Sequence, residues 1–257
     1  MIHPKNAVRV AILAAFATGV PLLLYAADAP VPVVENLPPG KQVLTYAVEW
    51  RLVRAGTARL SWTPTAAGGN HAELVLTSAG LVNKLYRVHD VYLASMNSNL
   101  CAESVFMKSE EGKRRRETNI RFNAGKVSYV ERDLIKNNVV LTKEVETPPC
   151  VHEYMGALTR LRSLRLAPGQ STQVPMTDGK KFANVKVDAQ ERETVRVGDQ
   201  SYQTVRHEVH MFNDVLLRKK ARMYVWVTDD NRRLPVQLRV KLSVLVGTIT
   251  LQLEKIE

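Results

Sequence analysis

Cysteine is scarce in this chain, helical periodicity is scarcer, and no catalytic signature is present. Two cysteines, Cys101 and Cys150, occur among 257 residues, too few for a zinc site of four cysteines or a disulfide-framed mini-fold. There is no G-x-S-x-G elbow, no P-loop, no G-x-G-x-x-G and no H-E-x-x-H, so no hydrolase, nucleotide or zinc-protease pattern directs the reading. The remaining metal candidates fail on geometry. His207 and His210 are an odd number of residues apart and fall on opposite faces of a strand, while His152 and Glu153 diverge as neighbours on a helix. Asp229-Asp230 reads as turn chemistry. Neither a metal, nor a cofactor, nor an enzymatic activity is expected.

Long apolar runs are missing too, except at the start. Lys5 and Arg9 precede an uncharged stretch from Val10 to Tyr25, and the small residues Ala26-Ala27-Asp28-Ala29 follow. That order describes a cleaved secretory signal over 1–27, since the run is shorter than the roughly 20 residues a membrane span needs. A Pro-rich extended leader over 28–41 comes next. The chain is therefore expected to be exported. Losing Lys5 and Arg9 lowers the formal charge by two, from +11 to +9. An exported basic protein meets lipid head groups and envelope polymers rather than nucleic acid. An even cysteine count in an oxidising compartment favours a Cys101–Cys150 disulfide over two buried thiols. Closing a loop of about 50 residues would remove about 4 kcal/mol of unfolded-chain entropy in the chain-entropy description.

What is abundant is period-two alternation. About a dozen strands can be read from Val43 to the C-terminus, with no compositional break that would split 42–257 into two domains. In the terminal hairpin, Met223, Val225 and Val227 face one way, as do Leu234, Val236, Leu238, Val240, Leu242 and Val244. One stretch departs from this pattern. Val151, Tyr154, Met155, Leu158 and Leu161 recur at helical spacing, so an amphipathic helix is predicted over 151–166, with Pro168-Gly169 stopping it. A sheet this long must curl. The expected fold is mainly β: a strongly curved antiparallel sheet, an incomplete barrel, wrapping one helix against its concave side.

The segments LTYAVEWRLVRAGTARL (44–60), TSAG with LYRVHDVYLASM, KRRRETNIRF (113–122), ALTRLRSLRLAPGQ (157–170) and WVTDDNRRLPVQLRVK (226–241) resemble a family of exported bacterial proteins known as domain of unknown function 3108. The resemblance implies a periplasmic protein whose sheet is similar to the half-barrel of lipoprotein carriers. It brings no activity and no catalytic residue. Near the helix start this chain reads Cys-Val-His-Glu-Tyr, where the family leads one to expect an aspartate.

Three groups of residues are candidates for a site. Tyr46, Trp50, Trp62, Tyr86, Tyr92, Met155, Leu158 and Met223 could line an apolar ligand cavity, if the helix does not fill the concave face; otherwise they are core. Asp90 with Arg114 and Arg116 is expected to form an inward ion pair. Arg218, Lys220 and Arg222 on one strand, with Arg239 and Lys241 on the next, would make a basic outer face that also carries Tyr224 and Trp226. Two functions follow. In the first, the protein is a non-enzymatic binding or scaffold protein holding an apolar or lipid-like ligand between sheet and helix. In the second, it is a solid-core interaction protein that meets anionic polymers or a membrane surface through the basic face. Neither reading fixes an oligomeric state.

Overall fold

The computed structural model describes residues 40–257. The predicted signal segment, and all of the leader except Gly40 and Lys41, lie outside the described residues.

The alternating stretches become fourteen strands of one antiparallel sheet. In chain order these are β1 (Gln42–Trp50), β2 (Val53–Pro64), β3 (Asn70–Ser78), β4 (Val88–Met96), β5 (Ala102–Glu111), β6 (Arg114–Asn123), β7 (Lys126–Asp133) and β8 (Asn138–Glu146). The second half supplies β9 (Ser171–Thr177), β10 (Phe182–Val197), β11 (Gln200–Val209), β12 (Arg222–Thr228), β13 (Pro235–Lys241) and β14 (Thr248–Ile256). Each strand pairs with its neighbour in sequence, except that β1 pairs with β14, so the two halves join there and β8 and β9 become the free edges. Chain leaving one edge therefore has to cross the open side to reach the other. That crossing holds the helix α2 (Tyr154–Ser163).

The helix is three residues shorter at each end than its apolar spacing predicts, and hydrogen bonding explains both losses. Val151 accepts from the Ala102 N–H at 2.9 Å, while His152 donates to Pro175 O at 2.8 Å and accepts from Thr177 N at 3.0 Å. With their backbones committed to β5 and β9, these residues are extended. Glu153 then serves as the N-cap, its carboxylate accepting from the N–H groups of Met155 and Gly156. At the other end, the buried Arg233 guanidinium donates to Arg162 O at 3.2 Å and Leu164 O at 2.6 Å. It satisfies carbonyls that a further helical turn would otherwise use. The Cys101–Cys150 disulfide forms, with Cα atoms 5.0 Å apart, and ties the helix entrance to the start of β5.

Other boundaries also move. A short helix, α1 (Gly80–Leu85), occupies what the sequence suggests is a plain connection. The first turn lies at Arg51-Leu52, with φ of 51° and 66°, whereas Ala55-Gly56, the pair the sequence suggests as the turn, lies within β2. That two-residue turn needs positive φ twice and usually recruits Asn-Gly, so its residues do not announce it. Gly56 has a different purpose: a Cβ there would stand 2.2 Å from Thr77 O on β3. Alternation suggests separate strands over 183–187 and 193–197, but these merge into the 16-residue β10, kinked by a register shift between Ala189 and Arg192. Finally, β12 begins only at Arg222 and β13 ends at Lys241, leaving residues 210–221 and 242–247 as loops.

Strand register defines two ends of the sheet. Gln42 pairs with Trp62, and Asn70 with both Pro64 and Met96, at one end. At the other, Trp50 pairs with Val53 and Ile249, Gly56 with Ser78, Val88 with Glu111, and Lys241 with Arg222 and Thr248. The anchors of α2 belong to the first end: the disulfide and Leu100 at its start, Trp62 midway, Gln42 and Arg233 at its finish.

Candidate functional site

The inward face of the sheet grades from dry to open. At the helix end Leu253, Val236, Ala72 and Val225 are buried. Two residues further along the same strands, Leu251, Leu238, Leu74 and Met223 are only half-buried, and Ile249, Val240 and Leu76 repeat this one rung on. The helix thus plugs one end of the bowl and leaves the apolar wall uncovered toward the other.

Directly under the helix lies a cavity of about 170 Å³. Its wall is apolar on every side: Met155, Ala157, Leu158 and Leu161 from α2, Leu60 and Leu74 from β2 and β3, Val174, Met176 and Val187 from β9 and β10, and Met223, Leu238 and Leu251 from β12 to β14. Apolar cavities of about 150 Å³ stay dry and take up small hydrophobic molecules. Four methionines in the wall, Met155, Met176, Met211 and Met223, are unbranched and re-pack easily around guests of differing shape.

Of the eight residues expected to line such a space, Met155, Leu158 and Met223 do so. The aromatic ones do not, each for a definite reason. Tyr46 is fully buried and donates its hydroxyl to Pro235 O at 2.7 Å. The Trp62 indole donates to Thr159 Oγ1 at 2.9 Å and lies under the Arg162 guanidinium, 4.9 Å from the ring centre. Tyr92 donates to Glu153 Oε2 at 2.8 Å. Trp50 ends β1 and Tyr86 caps α1, so both stand outside, exposed. Alternation marks Leu74, Leu238 and Leu251 as inward residues, but only the register reveals which rung the helix leaves uncovered.

The plugged end is polar yet buried. Arg162 donates to Gln42 Oε1 at 2.6 Å and to Arg233 O at 2.9 Å, and Arg233 answers with three backbone carbonyls. Burial lowers the Arg162 pKa to about 10. Burial also pushes Glu153 above the usual carboxylate range, against the pull of its three donors, and raises the Tyr92 phenol. Neither Glu153 nor Tyr92 lines the cavity, so the perturbed pair is part of the helix cap.

The expected inward ion pair is not made. Asp90 accepts from the Glu110 N–H at 3.0 Å, and burial raises its pKa, assisted by Glu111. Arg114 bonds Glu131 at 2.9 Å, and Arg116 pairs with Asp133 and, at 3.4 Å, with Glu131. Register explains this: Asp90, Ser109, Arg116 and Asp133 share one rung across β4 to β7. Arg116 is therefore two strands, about 10 Å, from Asp90 but adjacent to Asp133.

The basic face forms only in part. Arg218 and Lys220 fall in the 210–221 loop, while Arg222, Arg239 and Lys241 are on strands. With Arg206 and Gln190, which sequence reading missed, these three surround a polar pocket of about 210 Å³ floored by Tyr224 and Trp226. The rings are buried beneath the cations. Arg206, Arg222 and Lys241 stand 5.6, 5.4 and 5.3 Å from the Tyr224 ring centre, and Arg239 stands 5.1 Å from that of Trp226. Glu191 and Glu193 neutralise Arg206, and Glu208 neutralises Arg222. Among the described residues, Arg239 meets only the Gln237 amide oxygen and the indole, and Lys241 only the phenol ring, with no carboxylate in ion-pair reach of either.

Comparison with known proteins agrees with the architecture. A crystal structure from Brucella abortus, described as a beta-barrel-like protein of domain of unknown function DUF1849, superposes with a TM-score of 0.57 at 9% identity. The match covers 85% of this chain and 97% of that one. At that identity the likeness concerns the fold alone. No curated protein matches the chain. The family model described as "Protein of unknown function (DUF3108)" matches residues 45–254, from β1 into β14. A half-barrel plugged at one end by a disulfide-pinned helix is thus the form this sequence takes as a member of the DUF3108 family.

Proposed function

We propose that this chain is a non-enzymatic binding protein of the periplasm that holds an apolar, lipid-like ligand between α2 and the concave face of the sheet. The observation that carries the proposal is the 170 Å³ space under the helix, walled by apolar side chains and continuous with a half-buried apolar surface. Its size suits a short aliphatic segment better than a drug-sized molecule, which needs roughly 300 Å³ or more. Further ligand would lie along Leu76, Val240 and Ile249. Export is supported by the pattern of the first residues and by the formed disulfide, a bond that persists in oxidising compartments.

Native mass spectrometry of gently purified protein, with uptake of fluorescent fatty acids of graded length, tests this reading. Saturable uptake is expected, and Ala157→Phe, which grows into the cavity from the helix, should abolish it while leaving the fold intact. Repeated purification without bound lipid, together with no uptake at any chain length, would reject it.

A second reading rests on the basic pocket over Tyr224 and Trp226. Arg239 and Lys241 have charge to offer, so the pocket would take a phosphoryl or carboxyl group of an envelope polymer. Arg239→Gln with Lys241→Gln should weaken retention on an anionic polymer beyond the loss caused by removing Arg218 and Lys220. Equal losses would show diffuse attraction rather than a site.

A further inference from the structure

We propose that the open end of the half-barrel docks on a lipid bilayer through an apolar tip built from two adjoining loops. The β1–β2 turn presents Leu52 and Val53, which are 93% and 57% exposed, and the β13–β14 loop presents Val244 and Leu245, 95% and 87% exposed. Single exposed leucines need no explanation, but a contiguous apolar projection from two separate chain segments does.

The projection is held rigidly. The Trp50 indole donates to Val246 O at 2.7 Å, the Arg51 amide to Thr248 O at 3.1 Å, and the Arg51 guanidinium to the carbonyls of Leu245 and Val246. Within the loop, the amides of Val246 and Gly247 both donate to Ser243 O, and that of Leu242 to Gly247 O. The turn at Arg51-Leu52 keeps positive φ in two residues that disfavour it. That strain is tolerated where it points Leu52 outward and Arg51 back onto the neighbouring loop.

These features suit lipid as the occupant. A loop can enter an apolar medium only if its backbone polar groups are bonded internally, and here the arginine supplies bonds that the short loop cannot make itself. Trp50 lies at the base of the tip, the depth at which tryptophan favours the boundary between head groups and hydrocarbon. Arg51 and Lys241 flank the apolar residues, where anionic head groups would meet them; Lys241 immediately precedes the loop. Leu81 and Leu85 of α1, also exposed, follow β3 at the same end of the sheet. The surface goes beyond the apolar-ligand reading and does not depend on it, since docking requires no occupied cavity.

Flotation with vesicles of phosphatidylethanolamine and phosphatidylglycerol, compared with phosphatidylcholine, tests the proposal. The protein should float with the anionic vesicles, and Trp50, exposed where Trp62 and Trp226 are buried, should be quenched by brominated lipid. The triple variant Leu52→Ser, Val244→Ser, Leu245→Ser should lose at least tenfold in partitioning with its thermal unfolding unchanged. No flotation of the wild type at low salt, undiminished flotation of the variant, or equal binding to phosphatidylcholine would overturn the proposal. So would a wild-type dimer in solution that the variant dissociates, which would make the tip a contact between copies. Fatty-acid uptake reads the cavity and flotation reads the tip, so each idea can fail alone.

Discussion

The two ends of the half-barrel are built on opposite principles. At the plugged end polar groups brought inside are given partners: Arg162 and Arg233 exchange backbone carbonyls, the Trp62 indole meets Thr159, and Tyr46 meets Pro235 O. At the open end the apolar wall has been left without a cover, and the adjoining loops show leucine and valine to solvent. Closing both ends would have been the more stable arrangement, because burying one exposed leucine or valine contributes roughly 1.5–3 kcal/mol. The difference teaches that stability resides at the helix end and that the other end is free to serve a ligand or a surface.

The largest test of this division is Arg233→Met. It strands three buried carbonyls, those of Arg162, Leu164 and Thr228, and at about 1–3 kcal/mol for each unsatisfied group the loss should be about 4 kcal/mol. Urea unfolding measures it. A loss below about 1 kcal/mol would mean that the plugged end is not where the fold is held.

Acid should attack the molecule near the same end. His207 on β11 is fully buried and is pushed down to about 4 by burial and by Arg233, against a smaller raising effect of the Val225 and Val205 backbone. Its folded pKa lies below its unfolded value near 6.5, so the unfolded chain binds the extra proton. The stability contributed by neutral His207 is therefore complete above about pH 6.5 and is lost as pH falls toward 4, by up to about 3 kcal/mol. His207→Leu should flatten that part of the pH–stability curve. An unchanged slope in the variant would assign acid sensitivity to other groups.

The smallest effect is expected at the open end. Leu245→Ser alters an 87% exposed side chain, and its unfolding free energy should stay within about 0.5 kcal/mol of the parent. A substantially larger loss would mean that the tip is packed in solution, and the comparison between the ends would dissolve.

Much of this is legible in the residues, and what is not fails for identifiable reasons. The strands, the curved sheet, the helix and the disulfide all follow from alternation, one break in that alternation and two cysteines. The helix bounds differ because apolar spacing continues through Val151 and Leu166, while the backbone bonds of His152 and the reach of Arg233 from 69 residues beyond Leu164 decide where helical geometry stops. Asp90 and Arg116 do share a rung, but which charges meet depends on how many strands separate them. Size alone assigns the aromatic residues to the cavity. The structure spends the polar tips of Tyr46, Trp62 and Tyr92 on capping and sealing, and leaves the lining to leucine, valine and methionine with Tyr154 and Ala157 of the helix.

Local chemistry by itself determined the mainly β architecture, the position of one helix, the redox pairing and the basic outer row of β12 and β13, because each depends on neighbours a few residues apart or on there being just one possible partner. Only the tertiary arrangement decided the rest: that β1 zips to β14, that the helix plugs one end instead of covering the whole bowl, and that Trp50 and Val246 meet across 196 residues to hold the tip. Those outcomes depend on register summed over fourteen strands, and a one-residue slip anywhere along that sum would turn every inward side chain of the strand outward.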